Sequence, residues 1–185
     1  MKVYFDQTVI DDECNINRVT YHEIETNDIS EYIMIKGIHE FTHLVIAGIQ
    51  ARDGNNYYQL MNYIKQIITN RPKGNKAWNK DVWDEVLAGG DVYGHTNGEI
   101  SDAQAQEYLV IMIENAFRTN AKSFLDNSIT DNGVIEGIKS IMNAGFKSFT
   151  GGALQALSGS SNTQLKNIFL DFQRDVFGYA TEDMS

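Results

Sequence analysis

The sequence predicts a mainly α-helical protein of the α+β class. Three observations carry this. From Asp28 onward, apolar residues recur at helical spacing in segments bounded by capping residues and turn signals. Only two short segments near the N-terminus alternate apolar and polar residues. The 185 residues are 42% hydrophobic, enough to bury a core without disulfide staples.

Val3 to Asp6 and Val19 to Glu25 read as two short strands, forming a hairpin or small sheet, with turn residues at Asp11-Asp12-Glu13 and Asn15 to Asn17. Asp28 is a good N-cap, and Glu31 completes a capping-box-like pair. The helix it opens should end near Arg52, before Asp53-Gly54-Asn55-Asn56. Its Ile33, Gly37, Phe41, Leu44, Gly48 stripe is mostly apolar and is expected to face the core, while Ile29, Ile33, Lys36 and Glu40 trace a second face. Further helices are expected over Asn56 to Asn70, stopped by Arg71-Pro72-Lys73-Gly74, and over Trp78 to Ala88, ended by Gly89-Gly90. Asp91 to Glu99 is a loop. Ser101, with Gln104 three residues on, caps a long helix to about Leu125. Asn132 to Phe149 and Thr163 to Phe177 complete the set, the latter amphipathic through Leu165, Phe169, Phe172 and Val176. Residues 151–161, rich in Gly and Ser, are expected to link a domain over 1–150 to a C-terminal helix and tail, 162–185, packed on the same domain. No Lys-Ser/Thr follows Gly151-Gly152, so this segment is no phosphate loop.

Charge and cysteine content narrow the function classes. A formal net charge of −10 disfavours nucleic-acid phosphate and anionic lipid as partners. The N-terminus lacks the apolar region of a signal peptide, and no run approaches the ~18 apolar residues of a membrane span. The single cysteine, Cys14, permits no intrachain disulfide and no multi-cysteine zinc site. It fits a reducing compartment.

His39-Glu40-Phe41-Thr42-His43 is an H-E-x-x-H pattern inside the first helix. With only four histidines in the chain, about one shuffled sequence in two hundred would contain it. At i and i+4 both imidazoles lie on one helix face and can bind one Zn²⁺. Glu40 can then serve as general base toward a metal-activated water.

Two histidines do not complete a catalytic zinc site; three protein ligands and a water do. A third histidine six residues after His43 would mark the metzincin pattern, but that position is Ile49. A glutamate from another helix is the remaining common solution. Glu107 fits best. It sits on the capped helix beside Leu109, Val110 and Ile111, where a buried carboxylate needs a compensating cation. Glu114, two turns on, is the alternative, or an acceptor orienting His39 or His43 through the outer ring nitrogen.

The H-E-F-T-H-L-V segment, followed by Q-E-Y-L-V-x-x-I-E-N over Gln106 to Asn115, resembles gluzincin-type zinc metallopeptidases. It is similar in particular to metallopeptidase domains of phage and mobile-element polyvalent proteins. The resemblance covers about 35–50 and 100–116. It implies a zincin-like helical core over 1–150, zinc held by His39, His43 and Glu107, and hydrolysis of a protein or peptide substrate, as an endopeptidase rather than an exopeptidase. Gln106 departs from the acidic pair of that group and Val110 from its small residue, which bears on the third ligand.

An oxyanion donor could come from Tyr93 or His95, in the loop before the Glu107 helix, or from Tyr57 or Tyr58, which otherwise read as core. His22 and Glu23 point to opposite faces of a strand and read as structural or surface residues. Trp78 and Trp83 read as packing. Two rival readings accompany the peptidase. One is a non-catalytic protein whose metal staples two helices, with His95 or Glu114 closing the site. The other is a toxin-like effector protease.

Overall fold

The computed structural model describes residues 2–10, 16–25, 29–89, 98–118, 131–157 and 160–173. Helices dominate. They are α1 (Ile29–Arg52), α2 (Gly54–Asn70), α3 (Lys80–Ala88), α4 (Asp102–Arg118), α5 (Asp131–Ala156) and α6 (Ser160–Phe172). The fold class rests on this helical body. Of the expected turn residues, Asp11 to Glu13 and Asn15 lie outside the described residues, as does the cap at Asp28.

Local caps set the helix starts. Asp53 accepts a hydrogen bond from the Asn56 backbone N–H at 3.1 Å, which opens α2 two residues before the expected Asn56. Asn79 accepts from Asp81 and Val82 N–H and opens α3. Ser101 and Gln104 form the reciprocal capping box: Gln104 N–H donates to Ser101 Oγ at 3.0 Å and Ser101 N–H to Gln104 Oε1 at 2.9 Å. Arg71 ends α2 at φ 47°, where its N–H donates to Ile67 O.

Helix α4 is the centre of the molecule. Ala105, Tyr108, Leu109, Val110, Ile111 and Ile113 are all buried, and α1, α2, α3 and α5 pack around it. Each such aliphatic side chain contributes about 1.5–3 kcal/mol on burial. The closing helix joins the same core through Leu165, Ile168 and Phe169, the last in ring contact with Phe146 and Phe149.

Two expectations are corrected. The first concerns α1. Its core stripe is Ile38, Thr42, Val45, Ile46 and Ile49, whereas Ile33, Phe41 and Leu44 are 61%, 42% and 69% exposed. Both stripes are apolar, so periodicity alone does not choose between them. The polar member of the core stripe, Thr42, is satisfied inside the helix by donating to Ile38 O at 2.7 Å, so it buries at little cost. The second concerns residues 151–161. Helix α5 continues past Phe149 to Ala156, and Gly152, Ala153 and Leu157 are buried. Gly152 is a close-packing residue: a Cβ there would meet Ala77 N and Asn75 Oδ1. Asn75 fills that space, donating to Gly152 O at 2.7 Å and accepting from Ala77 N–H at 2.8 Å.

Candidate metal centre

Helices α1 and α4 bring His39, His43, Glu107 and Glu114 together. The histidines lie one turn apart on α1 at the margin of its core stripe. The glutamates lie two turns apart on α4 and are both buried, Glu107 at 6% and Glu114 at 1% exposure. Carboxylates so deep in a core require compensation, and the histidines supply it. His39 Nε2 is 3.3 Å from Glu107 Oε1, and His43 Nε2 is 2.9 Å from Glu107 Oε2. The two Nε2 atoms are 3.3 Å apart.

On the other side of His39, Nδ1 lies 3.1 Å from Glu114 Oε2. Arg118, one turn further along α4, donates to Glu114 Oε1 at 2.9 Å. On the outer side of His43, Nδ1 lies 2.9 Å from Gln106 Nε2, and Gln106 Oε1 accepts from Tyr57 Oη at 3.4 Å. Each imidazole therefore aims Nε2 at the shared point and anchors Nδ1 elsewhere.

Electrostatics follow from this geometry. Burial alone would lower the His39 pKa, but hydrogen bonds to Glu107 and Glu114, with their charges, overcome it and raise the value to about 9. For Glu107, burial acts upward, yet hydrogen bonds to His39 and His43 bring the carboxyl down to about 2. Glu114 is likewise lowered: burial opposes, while His39 and Arg118 prevail.

The donor set fits a divalent cation. One donor atom from each of His39, His43 and Glu107 lies within 4.8 Å of the others. In a tetrahedron with zinc bonds of about 2.0–2.1 Å, neighbouring donor atoms stand about 3.3 Å apart. The His39–His43 and His39–Glu107 separations, both 3.3 Å, match that edge. Glu114 instead faces the outer nitrogen of His39, which is where a metal-bound histidine anchors its N–H. Among the described residues, no fourth His, Cys, Asp or Glu joins the three.

The remaining residues fall out as follows. Glu40 is exposed beside the pair, with no partner among the described residues. Tyr93 and His95 lie outside the described residues, as does the side chain of His22. Tyr57 is half-buried on Gln106, whereas Tyr58 is 58% exposed and not a core residue. Trp78 and Trp83 pack around Tyr108, ring centroids 6.1 and 6.4 Å away. The partners that the sequence reading missed are Gln106, Tyr57 and Arg118. Arg118 was legible as an i+4 partner of Glu114; Gln106 and Tyr57 meet only through the packing of α2 on α4. No helix among the described residues is long and apolar enough to cross a membrane. Comparisons with protein-family models, curated proteins and solved structures return no match for this chain.

Proposed function

We propose that this chain is a zinc-dependent endopeptidase of the gluzincin type, with a zincin-like arrangement in which the N-terminal hairpin is the small β element. The carrying observation is the convergence of His39 Nε2, His43 Nε2 and the Glu107 carboxylate, 2.9–3.3 Å from one another, around a buried carboxylate that a cation would compensate. Zinc, when bound, supplies Lewis-acid chemistry: it acidifies a water and polarises a carbonyl.

The chain's own residues do the rest. His39, His43 and Glu107 hold the ion, and Glu114 fixes His39 by accepting its Nδ1–H. Glu40, exposed next to the pair, takes the proton of the attacking water and passes it to the leaving amine. The substrate is a protein or peptide; the acidic surface favours neither nucleic acid nor anionic membrane. A cytoplasmic or virion-associated setting, as in phage-encoded relatives of that type, belongs to the same proposal. A second reading is a metal staple without catalysis, since the three donors come from two packed helices and would tie them together.

Elemental analysis and hydrolysis of a mixed peptide library separate these. Expected is stoichiometric zinc in the wild type and in Glu40→Gln, with hydrolysis reduced about 10²–10⁴-fold in the mutant. Bound zinc with no hydrolysis leaves the staple reading. Well-folded protein that takes up no zinc sinks both.

A further inference from the structure

The two histidines are anchored by different chemistry. His39 Nδ1 faces a carboxylate, Glu114, but His43 Nδ1 faces a neutral primary amide, Gln106, whose far end meets the Tyr57 hydroxyl. A carboxylate only accepts, so it suits only a ring protonated at Nδ1. An amide has one donating and one accepting end, and a hydroxyl does both.

In the arrangement seen, Gln106 Nε2 donates to His43 Nδ1, and Tyr57 Oη donates to Gln106 Oε1. The proton of His43 is then on Nε2, donated to Glu107 Oε2 at 2.9 Å. To ligate a cation His43 must offer the Nε2 lone pair, so its proton sits on Nδ1 and requires an acceptor. Half a turn of the Gln106 amide supplies one: Oε1 accepts from Nδ1–H, and Nε2 donates to the Tyr57 oxygen. In both states His43 Nδ1 and both ends of the Gln106 amide keep a partner. A glutamate at 106 would satisfy only the second state and would add a third carboxylate beside Glu107 and Glu114.

We infer that Gln106 is the positioning residue of His43, an amide that reverses on metal loading and so serves both ring tautomers, with Tyr57 as its counter-partner. This rests on the metal-centre reading of His39, His43 and Glu107.

The test is zinc affinity by chelator competition for wild type, Gln106→Met, Gln106→Glu and Tyr57→Phe, together with ¹⁵N NMR of the histidine rings in wild type. Gln106→Met should bind zinc about 10–100-fold more weakly. Gln106→Glu keeps an acceptor for Nδ1–H and should recover most of that loss, and Tyr57→Phe should lose less than Gln106→Met. The His43 ring should be Nε2-protonated in metal-free protein and Nδ1-protonated when loaded. If Gln106→Met does not fold, Gln106→Glu and the wild-type ring spectra decide. Wild-type affinity in Gln106→Met, or a His43 ring already Nδ1-protonated in metal-free protein, overturns the positioning role alone, whereas a His43 ring still Nε2-protonated in zinc-loaded protein overturns its place among the ligands. A wild type that binds no zinc overturns the metal centre and this role with it.

Discussion

Glu107 and Tyr108 are neighbours on α4, yet they bury polar groups in opposite ways. Tyr108 turns toward α3 and the loop before it. Its hydroxyl donates to Ala77 O and accepts from Asn79 N–H, both at 2.8 Å, and its ring is flanked by Trp78 and Trp83. Both partners are backbone, fixed and neutral, and burial raises the pKa of the phenol well above its ordinary value. Glu107 turns toward α1, and its partners are two imidazoles that can gain, lose or relocate protons. A polar group saturated by backbone is structural. One compensated by exchangeable groups can trade them for a cation.

Breaking the exchangeable side should have the largest effect. Glu107→Gln removes the carboxylate at the shared point and is expected to abolish stoichiometric zinc, measured by elemental analysis, in a chain whose circular dichroism is unchanged. Glu114→Gln leaves the donors in place but weakens the anchor of His39. Zinc affinity should fall about 10–100-fold, read by chelator competition.

Breaking the backbone-saturated side should cost stability and leave the metal alone. Tyr108→Phe strands Ala77 O and Asn79 N–H, and chemical denaturation should show a loss of about 1–3 kcal/mol with zinc affinity unchanged. Equal losses of zinc affinity in Tyr108→Phe and Glu114→Gln would erase the contrast.

The smallest effect is a pH window in metal-free protein. Glu107 titrates at about 2, below its ordinary 4.5, so its contribution is present above 4.5 and lost as pH falls toward 2. His39 titrates at about 9, above its ordinary 6.5, so its contribution is present below 6.5 and lost as pH rises toward 9. With chelator present, thermal stability should therefore be greatest between pH 4.5 and 6.5. Glu107→Gln should make both limbs shallower, with Glu114 keeping part of each, whereas Tyr108→Phe should lower the whole curve without changing its shape.

Much of this was legible from residue order because it is local. The capping box of Ser101 and Gln104 is settled within three residues, and the i, i+4 spacing of His39 and His43 within one turn. Glu107 stood out because a carboxylate among Leu109, Val110 and Ile111 demands a partner. The C-terminal extent of α5 was not legible. A Gly-Gly pair signals a linker by composition, and only the approach of Asn75 and Ala77 makes Gly152 a packing residue inside a helix.

By itself, then, the sequence determined the helical class, the start of α4 and the chemistry of the donors, because caps, turns and i, i+4 pairs act over a few residues. Tertiary structure decided which apolar stripe of α1 is inside, since Ile38–Ile49 and Ile33–Leu44 differ in what they meet and not in hydrophobicity. It also decided that Glu107 faces the Nε2 atoms while Glu114 and Gln106 hold the outer nitrogens. Those roles depend on the rotation of α4 against α1, and that rotation is set by packing between elements far apart in the chain.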